Sequence, residues 1–576
     1  MRTRLGLMVP LLLVGGFVAW GWSGATRSHR IAETTAQELA EEAAVSPRTL
    51  IVDFRDETSD QALAANGYDE EAISRYSSID RLYRLRFATA DEAGRAAAAL
   101  RGNPTVESVD YDVEASIPPG EGNGLAADSQ TFAECAPADA ATAHKGFPDD
   151  PCFRYQWHLR QLNLPDAWKL GQGHGVTVAV IDTGVTAVPD LKGTKIVAGY
   201  NFVADNDRAE DDHGHGTHVA GTIAQSTNNH LGVGGVAFGA AIMPLKVLSA
   251  DGRGSMAAIA QAIRYAADHG AKVINMSLGG PFPVATIKHA VDYARDKGVV
   301  VVAAAGNDGR GRVSYPARYP GVLAVASTQF DERTTFYSNW GKEIDIAGPG
   351  GNTRVDQNGD GKPDGVLQNT IVPDDIARTD YLWFMGTSMA SPHVEAVLLE
   401  TARRPKPAGK GSAERIDDHY GAGIVDARAA LEKARLGRDA SSLGLGGALA
   451  LMALGGLRRR RRLASGVGLG FGLALAVGSI GVLEGFGAWA GPAAFDNPVL
   501  LSAALPVVAI GLLYGVARLR PTLAGLGFGV AGALLFGALS YTADVRFVPD
   551  FLDRIWLFTN AGLATVVSSF TLRRPT

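Results

Sequence analysis

Between residues 153 and 436, short β-branched apolar runs alternate with helical stretches, and this alternation constrains the fold more than any other feature. Val176 to Ile181, VVVVAAAG and VLAVAST read as buried strands, whereas SMAAIAQAIRYAADHG has helical periodicity. Strands apolar along their whole length must be covered on both sides. The pattern therefore predicts an α/β fold, a parallel sheet with helices on both faces.

Three short motifs are set into that frame in a fixed order: VAVIDTGV around Asp182, HGHGTHVAGT around His215, and GTSMASPHV around Ser388. Asp182 ends an apolar strand, where open α/β sheets place their chemistry, and Gly184 lets the chain turn away. His215 lies in a glycine-rich turn that leads into a small-residue helix. Ser388 precedes a helix-compatible stretch, so its hydroxyl and backbone N–H fall at a helix N-terminus, a favourable position for a developing oxyanion. Together the three spell a hydrolytic triad.

The chain order Asp, His, Ser resembles that of the subtilisin-like serine proteases, family S8 of the peptidases. The resemblance implies that Ser388 is the nucleophile, His215 the general base and then acid, and Asp182 the group that fixes the His215 tautomer. Two further segments match. AAAGND puts Asn307 at the family's side-chain oxyanion donor, and NMSLGG puts Ser277, Leu278, Gly279 and Gly280 on the strand that pairs with substrate backbone. FRYQWHLRQLNLPDAW and YGAGIVDARAAL resemble the family's entry and terminal segments, bounding a catalytic domain at 153–436. A metal reading of His213, His215 and His218 leaves Ser388 and Asn307 unexplained. GQGHG, from Gly171 to Gly175, precedes a strand rather than following one, which excludes a dinucleotide fingerprint.

Upstream, RTLIVDF and RLYRLRF read as strands, DEAGRAAAALRG as a helix and TVESVDYDVEASI as a final strand. This small α+β unit at 46–118 is similar to the family's inhibitor-type propeptide, which implies a zymogen with its own propeptide as inhibitor; the alternative is a retained accessory domain. Residues 119–152, rich in Gly, Ala, Pro and Asp, form a linker where processing fits. Arg2 and Arg4, the uncharged run Leu5 to Trp22 and the small residues Ser23 to Ala25 make 1–25 a signal peptide or signal anchor. Outside the cytoplasm, a disulfide between Cys135 and Cys152 is permitted, two unpaired thiols being the alternative.

DQNGDGKPDG, from Asp356 to Gly365, spaces the oxygen ligands Asp356, Asn358, Asp360 and Asp364 like a calcium loop, with Gly359 and Gly361 at the turns. Leu367 stands where an EF-hand has its twelfth-position glutamate, so the loop resembles the shorter loops of dockerins and thrombospondin-type repeats. A second calcium site, with Asp190 and Asn229, is implied by the family resemblance alone. No organic cofactor is indicated. After Ser388 the chain departs from the family: SPHV leads directly into EAVLLETARRP, as if the long buried helix were shortened. That departure supports the alternative of a catalytically impaired, membrane-bound binding or regulatory module.

The last part of the chain is far more apolar. Runs at 443–457, 463–482, 499–517, 523–541 and 551–570 are near membrane-span length, giving about five transmembrane helices over 443–572. With the protease outside, periplasmic or extracellular, the consecutive arginines Arg458 to Arg462, then Arg518, Arg520, Arg573 and Arg574, all fall on the cytoplasmic side, as does the C-terminus. Gly446, Gly447, the short first span and the arginine block also resemble a cleavable sorting tail, although such tails end the chain. A net charge of −6 argues against nucleic acid as a partner. The expected protein is an exported, membrane-tethered serine endopeptidase acting on proteins or peptides and contacting lipid through its C-terminal helices.

Overall fold

The computed structural model describes residues 45–64, 67–117, 135, 147–373, 375–394, 416–431, 519–540 and 553–572, with a few positions between 445 and 451. The expected signal segment and the 463–482 and 499–517 runs lie outside these residues, as do most of the linker and of the 443–457 run.

The N-terminal unit is an antiparallel sheet of β1 (Val45–Phe54), β2 (Glu70–Ala72), β3 (Leu82–Arg86) and β4 (Val106–Ser116), in the order β2-β3-β1-β4. One face carries Leu50, Val52, Phe54 and Val109, which bury against Ala93, Ala97 and Leu100 of helix α1 (Ala90–Arg101). Thr89 and Glu92 form a reciprocal capping box that starts α1. The opposite face packs on the next domain.

That domain is built on β5 (Thr177–Asp182), β6 (Lys195–Ile196), β7 (Tyr200–Asn201), β8 (Ala241–Lys246), β9 (Arg253–Ser255), β10 (Val273–Met276), β11 (Val300–Ala304), β12 (Val322–Thr328) and β13 (Ile346–Pro349). The sheet order is β13-β12-β11-β10-β5-β8-β6, with β7 on β8, and each described pairing is parallel. Alternate residues of one strand serve two cores. Val178 and Val180 pack with Val219, Ile223 and Met389, whereas Ala179 and Ile181 pack with Ile259, Ile263 and Ile287. Helices α2 (His215–Ala224) and α5 (Thr387–Val394) thus cover one face, and α3 (Met256–Asp268) and α4 (Ala285–Asp296) the other. The expected parallel sheet with helices on both faces is present. Strand order reverses around β5, so the carboxyl ends of β5 and β10 open a crevice.

An antiparallel hairpin, β14 (Val366–Val372) and β15 (Asp375–Phe384), supports α2 from outside the sheet. His218 Nε2 lies 3.0 Å from the Val366 carbonyl and its ring stacks on Phe384 at 4.2 Å. Near the C-terminus, helices α6 (Arg520–Ser540) and α7 (Asp553–Leu572) pair antiparallel, with Ala531 meeting Ala564 and Leu534 meeting Leu557 and Ala561. Among the described residues, no helix is long and apolar enough to cross a membrane.

Candidate active site

Asp182 is the last residue of β5 and His215 the first of α2; both are fully buried. His215 Nδ1 and Asp182 Oδ1 lie 2.8 Å apart, and the same oxygen accepts the Thr183 N–H at 2.7 Å. With Nδ1–H committed to the carboxylate, Nε2 is left as the basic nitrogen.

Backbone approach makes this contact possible. A Cβ at Gly216 would stand 2.2 Å from the Gly184 carbonyl oxygen, so only glycine lets α2 come this close to the turn after β5. Sequence reasoning missed the group that starts the helix. Asp211 Oδ1 accepts the N–H groups of His213 (2.9 Å) and Gly214 (3.0 Å), and Oδ2 accepts the N–H (2.9 Å) and hydroxyl (2.6 Å) of Thr217. A carboxylate here also suits the positive end of the helix dipole. Its signal was available as an acidic residue just before a glycine-rich helix start.

Lys246 was missed as well. It is the register partner of Asp182 on β8, and its buried ammonium donates to the carbonyls of Thr183 (2.7 Å) and Leu248 (2.8 Å) and to Asp212 (2.6 Å). The lysine pins the turn that carries the aspartate.

Ser388 is the second residue of α5, and α5 packs against α2 and against the carboxyl ends of β10 to β13. Its Oγ donates to the Ser277 carbonyl at 3.1 Å, while Ser277 Oγ donates to the Ser388 carbonyl at 2.8 Å. Asn307 follows β11. Its Oδ1 accepts the N–H (3.0 Å) and hydroxyl (2.8 Å) of Thr387, which leaves Nδ2 as the donor end of the amide. Asp182, His215, Asn307 and Ser388 therefore converge from four separate elements around one crevice. Helix α5 is described to Val394, and the sequence departure after it lies outside the described residues.

A strand already runs through the crevice. Glu114, Ala115 and Ser116 of β4 pair antiparallel with Ser255, Gly254 and Arg253 of β9. Ile117 N–H continues this side to the Gly252 carbonyl at 3.0 Å, and on the other side Ser116 exchanges both backbone hydrogen bonds with Gly279, at 2.9 and 3.0 Å. The segment is the central strand between β9 and the loop of Ser277, Leu278, Gly279 and Gly280. Gly280 in turn exchanges backbone hydrogen bonds with Tyr315.

In the loop 356–364, Asp356 accepts the N–H groups of Gly359 (2.7 Å) and Gly361 (3.0 Å), Asn358 accepts that of Asp360, and Asp360 that of Lys362. Asp364 is buried, and its Oδ1 has no hydrogen-bond partner. Burial, with Asp356 and Asp360 nearby, pushes its carboxyl up to about 6. The orphaned buried oxygen of Asp364 suits a cation such as calcium, although Asp356, Asp360 and Asp364 do not bring their carboxylates within 4.8 Å of one another. The other expected pair comes together differently. Asn229 Nδ2 donates to Asp190 Oδ1 (2.8 Å), and Asp190 Oδ2 accepts Val233 N–H (3.0 Å) and the Tyr381 hydroxyl (3.3 Å). Burial lifts the Asp190 carboxyl to about 8. Cys135 and Cys152 form a disulfide with Cα atoms 5.2 Å apart, packed on Val233, Leu367 and Trp383.

Comparison with known proteins agrees with this architecture. A model of the subtilase family, peptidase S8, matches residues 173–414. Thermitase from Thermoactinomyces vulgaris is 40% identical over 252 residues, which cover 43% of this chain and 83% of the relative. Subtilisin BL from Lederbergia lenta is 40% identical over 285 residues, 48% of this chain and 97% of the relative. Among solved structures, fervidolysin from Fervidobacterium pennivorans, a keratinolytic enzyme related to subtilisin, superposes with a TM-score of 0.51 at 25% identity, covering 68% of this chain and 62% of that one. With the crevice geometry beside these likenesses, the chain belongs to the subtilase family and is a serine endopeptidase.

Proposed function

We propose that the protein is an exported, membrane-tethered serine endopeptidase made as a zymogen, and that residues 46–118 are its inhibitory propeptide. The observation that carries this reading is the strand 114–117. It lies antiparallel between β9 and Gly279, as an extended substrate does when main-chain hydrogen bonds give the affinity. Its outward end leads into the linker at 119–152, where a cut would release it.

In this reading Ser388 Oγ attacks the scissile carbonyl carbon and its proton passes to His215 Nε2. Asp182 holds the imidazole in the correct tautomer and stabilises the imidazolium. The new oxyanion accepts hydrogen bonds from Asn307 Nδ2 and the Ser388 backbone N–H at the start of α5. Collapse expels the amine, which takes the proton back from His215. Water then hydrolyses the acyl-enzyme by the same steps, returning Ser388.

Calcium would be held by Asp356, Asn358, Asp360 and Asp364, bracing the loop rather than taking part in the chemistry; Asp190 and Asn229, engaged with each other, do not fit the second ion. The apolar runs over 443–572 support a membrane anchor, with lipid as contact and the catalytic domain outside the cytoplasm. On α7, Ile555, Phe558, Leu563 and Val566 are exposed and suit a lipid face.

The test is hydrolysis of casein by the purified protein, its loss in Ser388→Ala, and labelling of Ser388 by a fluorophosphonate. Peptide binding without labelling of folded protein would replace the enzyme reading with the impaired binding module. N-terminal sequencing of the mature protein should start beyond Ile117; a start before Leu50 removes the propeptide reading.

A further inference from the structure

The face of the N-terminal sheet that meets the catalytic domain carries a group of ligand-type side chains with no part in the reaction. Asp53 on β1 is 3% exposed, and Glu107 on β4 and His289 on α4 converge with it. His289 Nδ1 lies 3.5 Å from Asp53 Oδ2 and 4.0 Å from Glu107 Oε1. One donor atom from each of the three lies within 4.8 Å of the others. Among the described residues this is the one group of His, Cys, Asp or Glu side chains gathered so closely.

These separations are too long for good hydrogen bonds, and His289 Nδ1 is buried without a hydrogen-bond partner. They are close to what a shared metal requires, since ligand atoms at about 2.0–2.2 Å from a tetrahedral zinc stand about 3.3–3.6 Å from one another. The strand geometry makes the grouping local and specific. Asp53 pairs with Ser108 and Phe54 with Val106, so the register slips by one residue and Glu107 is the bulged residue. The slip turns Glu107 and Ser108 to the same side, where Ser108 meets Thr286. Without it the carboxylates would stand on opposite faces. Arg264 and Lys288 are the nearby cations, and both have carboxylate partners of their own, Asp56 with Asp80 and Asp292.

We infer that Asp53, Glu107 and His289 form a site for a borderline divalent cation such as Zn2+, bridging the N-terminal unit to the catalytic domain. Nitrogen and carboxylate ligands select this class of metal, with water completing the shell. Because two ligands come from one unit and one from the other, the bound ion holds the two together. The regulatory consequence, slower release of the inhibitory strand when zinc is present, rests on the propeptide reading above.

The test uses the full-length chain with Ser388→Ala, purified in detergent, stripped of transition metals and kept in calcium. Isothermal titration with ZnCl2 should show one equivalent bound, and Co2+ should give the visible absorption of a low-coordinate N/O site. Glu107→Gln, at an exposed side chain, and His289→Ala should each weaken zinc at least tenfold, and His230→Ala should not. Absence of stoichiometric binding, or binding unchanged in both Glu107→Gln and His289→Ala, overturns the site. In the otherwise wild-type chain zinc should lengthen the lag before casein hydrolysis, and Glu107→Gln should abolish the lengthening. The two ideas fail separately: N-terminal sequencing showing residues 45–117 retained in active enzyme removes the propeptide reading, while the zinc affinity of the inactive chain stands or falls by itself.

Discussion

Asp110 on β4 caps the helix that begins beside Thr286 in the catalytic domain. One carboxylate oxygen accepts the N–H (2.9 Å) and the hydroxyl (2.7 Å) of Thr286, and the other accepts the N–H of Ala285 (3.1 Å). Helix α4 has no side-chain cap of its own at Val284. The N-terminal unit thus supplies it in trans. Replacing an N-capping carboxylate costs about 1–2 kcal/mol, so Asp110→Ala should weaken the hold of the N-terminal unit roughly tenfold. On the propeptide reading, the measurement is the rate at which activity emerges from the purified full-length chain, which should rise; an unchanged rate means that α4 needs no partner.

Removing the carboxylate charge at Asp182 tests the tautomer argument. Asp182→Asn should lower kcat by about 10⁴ while leaving KM within a few-fold, because the group touches His215 and not the substrate. A loss below tenfold in kcat would show that His215 is oriented by something else.

Asn307 and Thr387 make a graded pair. Asn307→Leu should cost about 10²–10³ in kcat through loss of the oxyanion donor. Thr387→Val removes the hydroxyl that holds Asn307 Oδ1 but keeps the backbone N–H contact, so its effect should be smaller. Equal losses would mean that the hydroxyl alone fixes the amide.

Three buried histidines set an acid limit on stability. His158 Nδ1 meets His393 Nε2 at 2.8 Å, and His393 Nδ1 donates to the Met389 carbonyl at 2.6 Å. Burial holds His393 down to about 4 and His218 to about 3, and drives His158 well below its ordinary value. A histidine whose folded pKa is depressed contributes stability that is present above about pH 6.5 and is lost as pH falls. Buried Asp190, raised to about 8, acts in the opposite sense, so the histidine effect is read by difference. His158→Gln should gain on the wild type by about 1.4 kcal/mol per pH unit below 6.5 in urea denaturation midpoints converted to free energy. A difference that does not change with pH would rule out a neutral buried His158.

Calcium should stabilise the fold through the loop 356–364. At a hundredfold excess over Kd, a ligand that binds only the folded state contributes about 2.7 kcal/mol, or roughly 5–10 °C in Tm for a domain of this size. EGTA should lower Tm by that amount in the wild type and by much less in Asp360→Ala. Equal shifts in both would assign the effect to another site.

Much of this site could be read from local chemistry. A β-branched run ending in Asp182, a glycine-rich turn before His215 and a small-residue helix after Ser388 each have a short-range physical reason, and their order pointed to one triad. The alternation of strands and helices over 153–436 likewise predicted the parallel sheet, because strands apolar on both sides must be covered on both sides. Local pattern also marked the strands and helix of the N-terminal unit and the spacing of the calcium-type loop.

What only tertiary structure decided were contacts between residues far apart in the chain that no periodicity couples. Asp211 starting α2, Lys246 beside Asp182, Thr387 holding Asn307 and Asp110 capping α4 are polar residues at positions where sequence alone offers many equivalent partners. Burial made the choice, since a polar group removed from water must find a partner. The insertion of residues 114–117 between β9 and Gly279 was equally invisible, because an edge strand's exposed N–H and C=O groups accept any extended segment of suitable reach. Sequence marked the proposed triad and determined the sheet that carries it; folding determined which distant groups hold those residues in place and which segment lies across them.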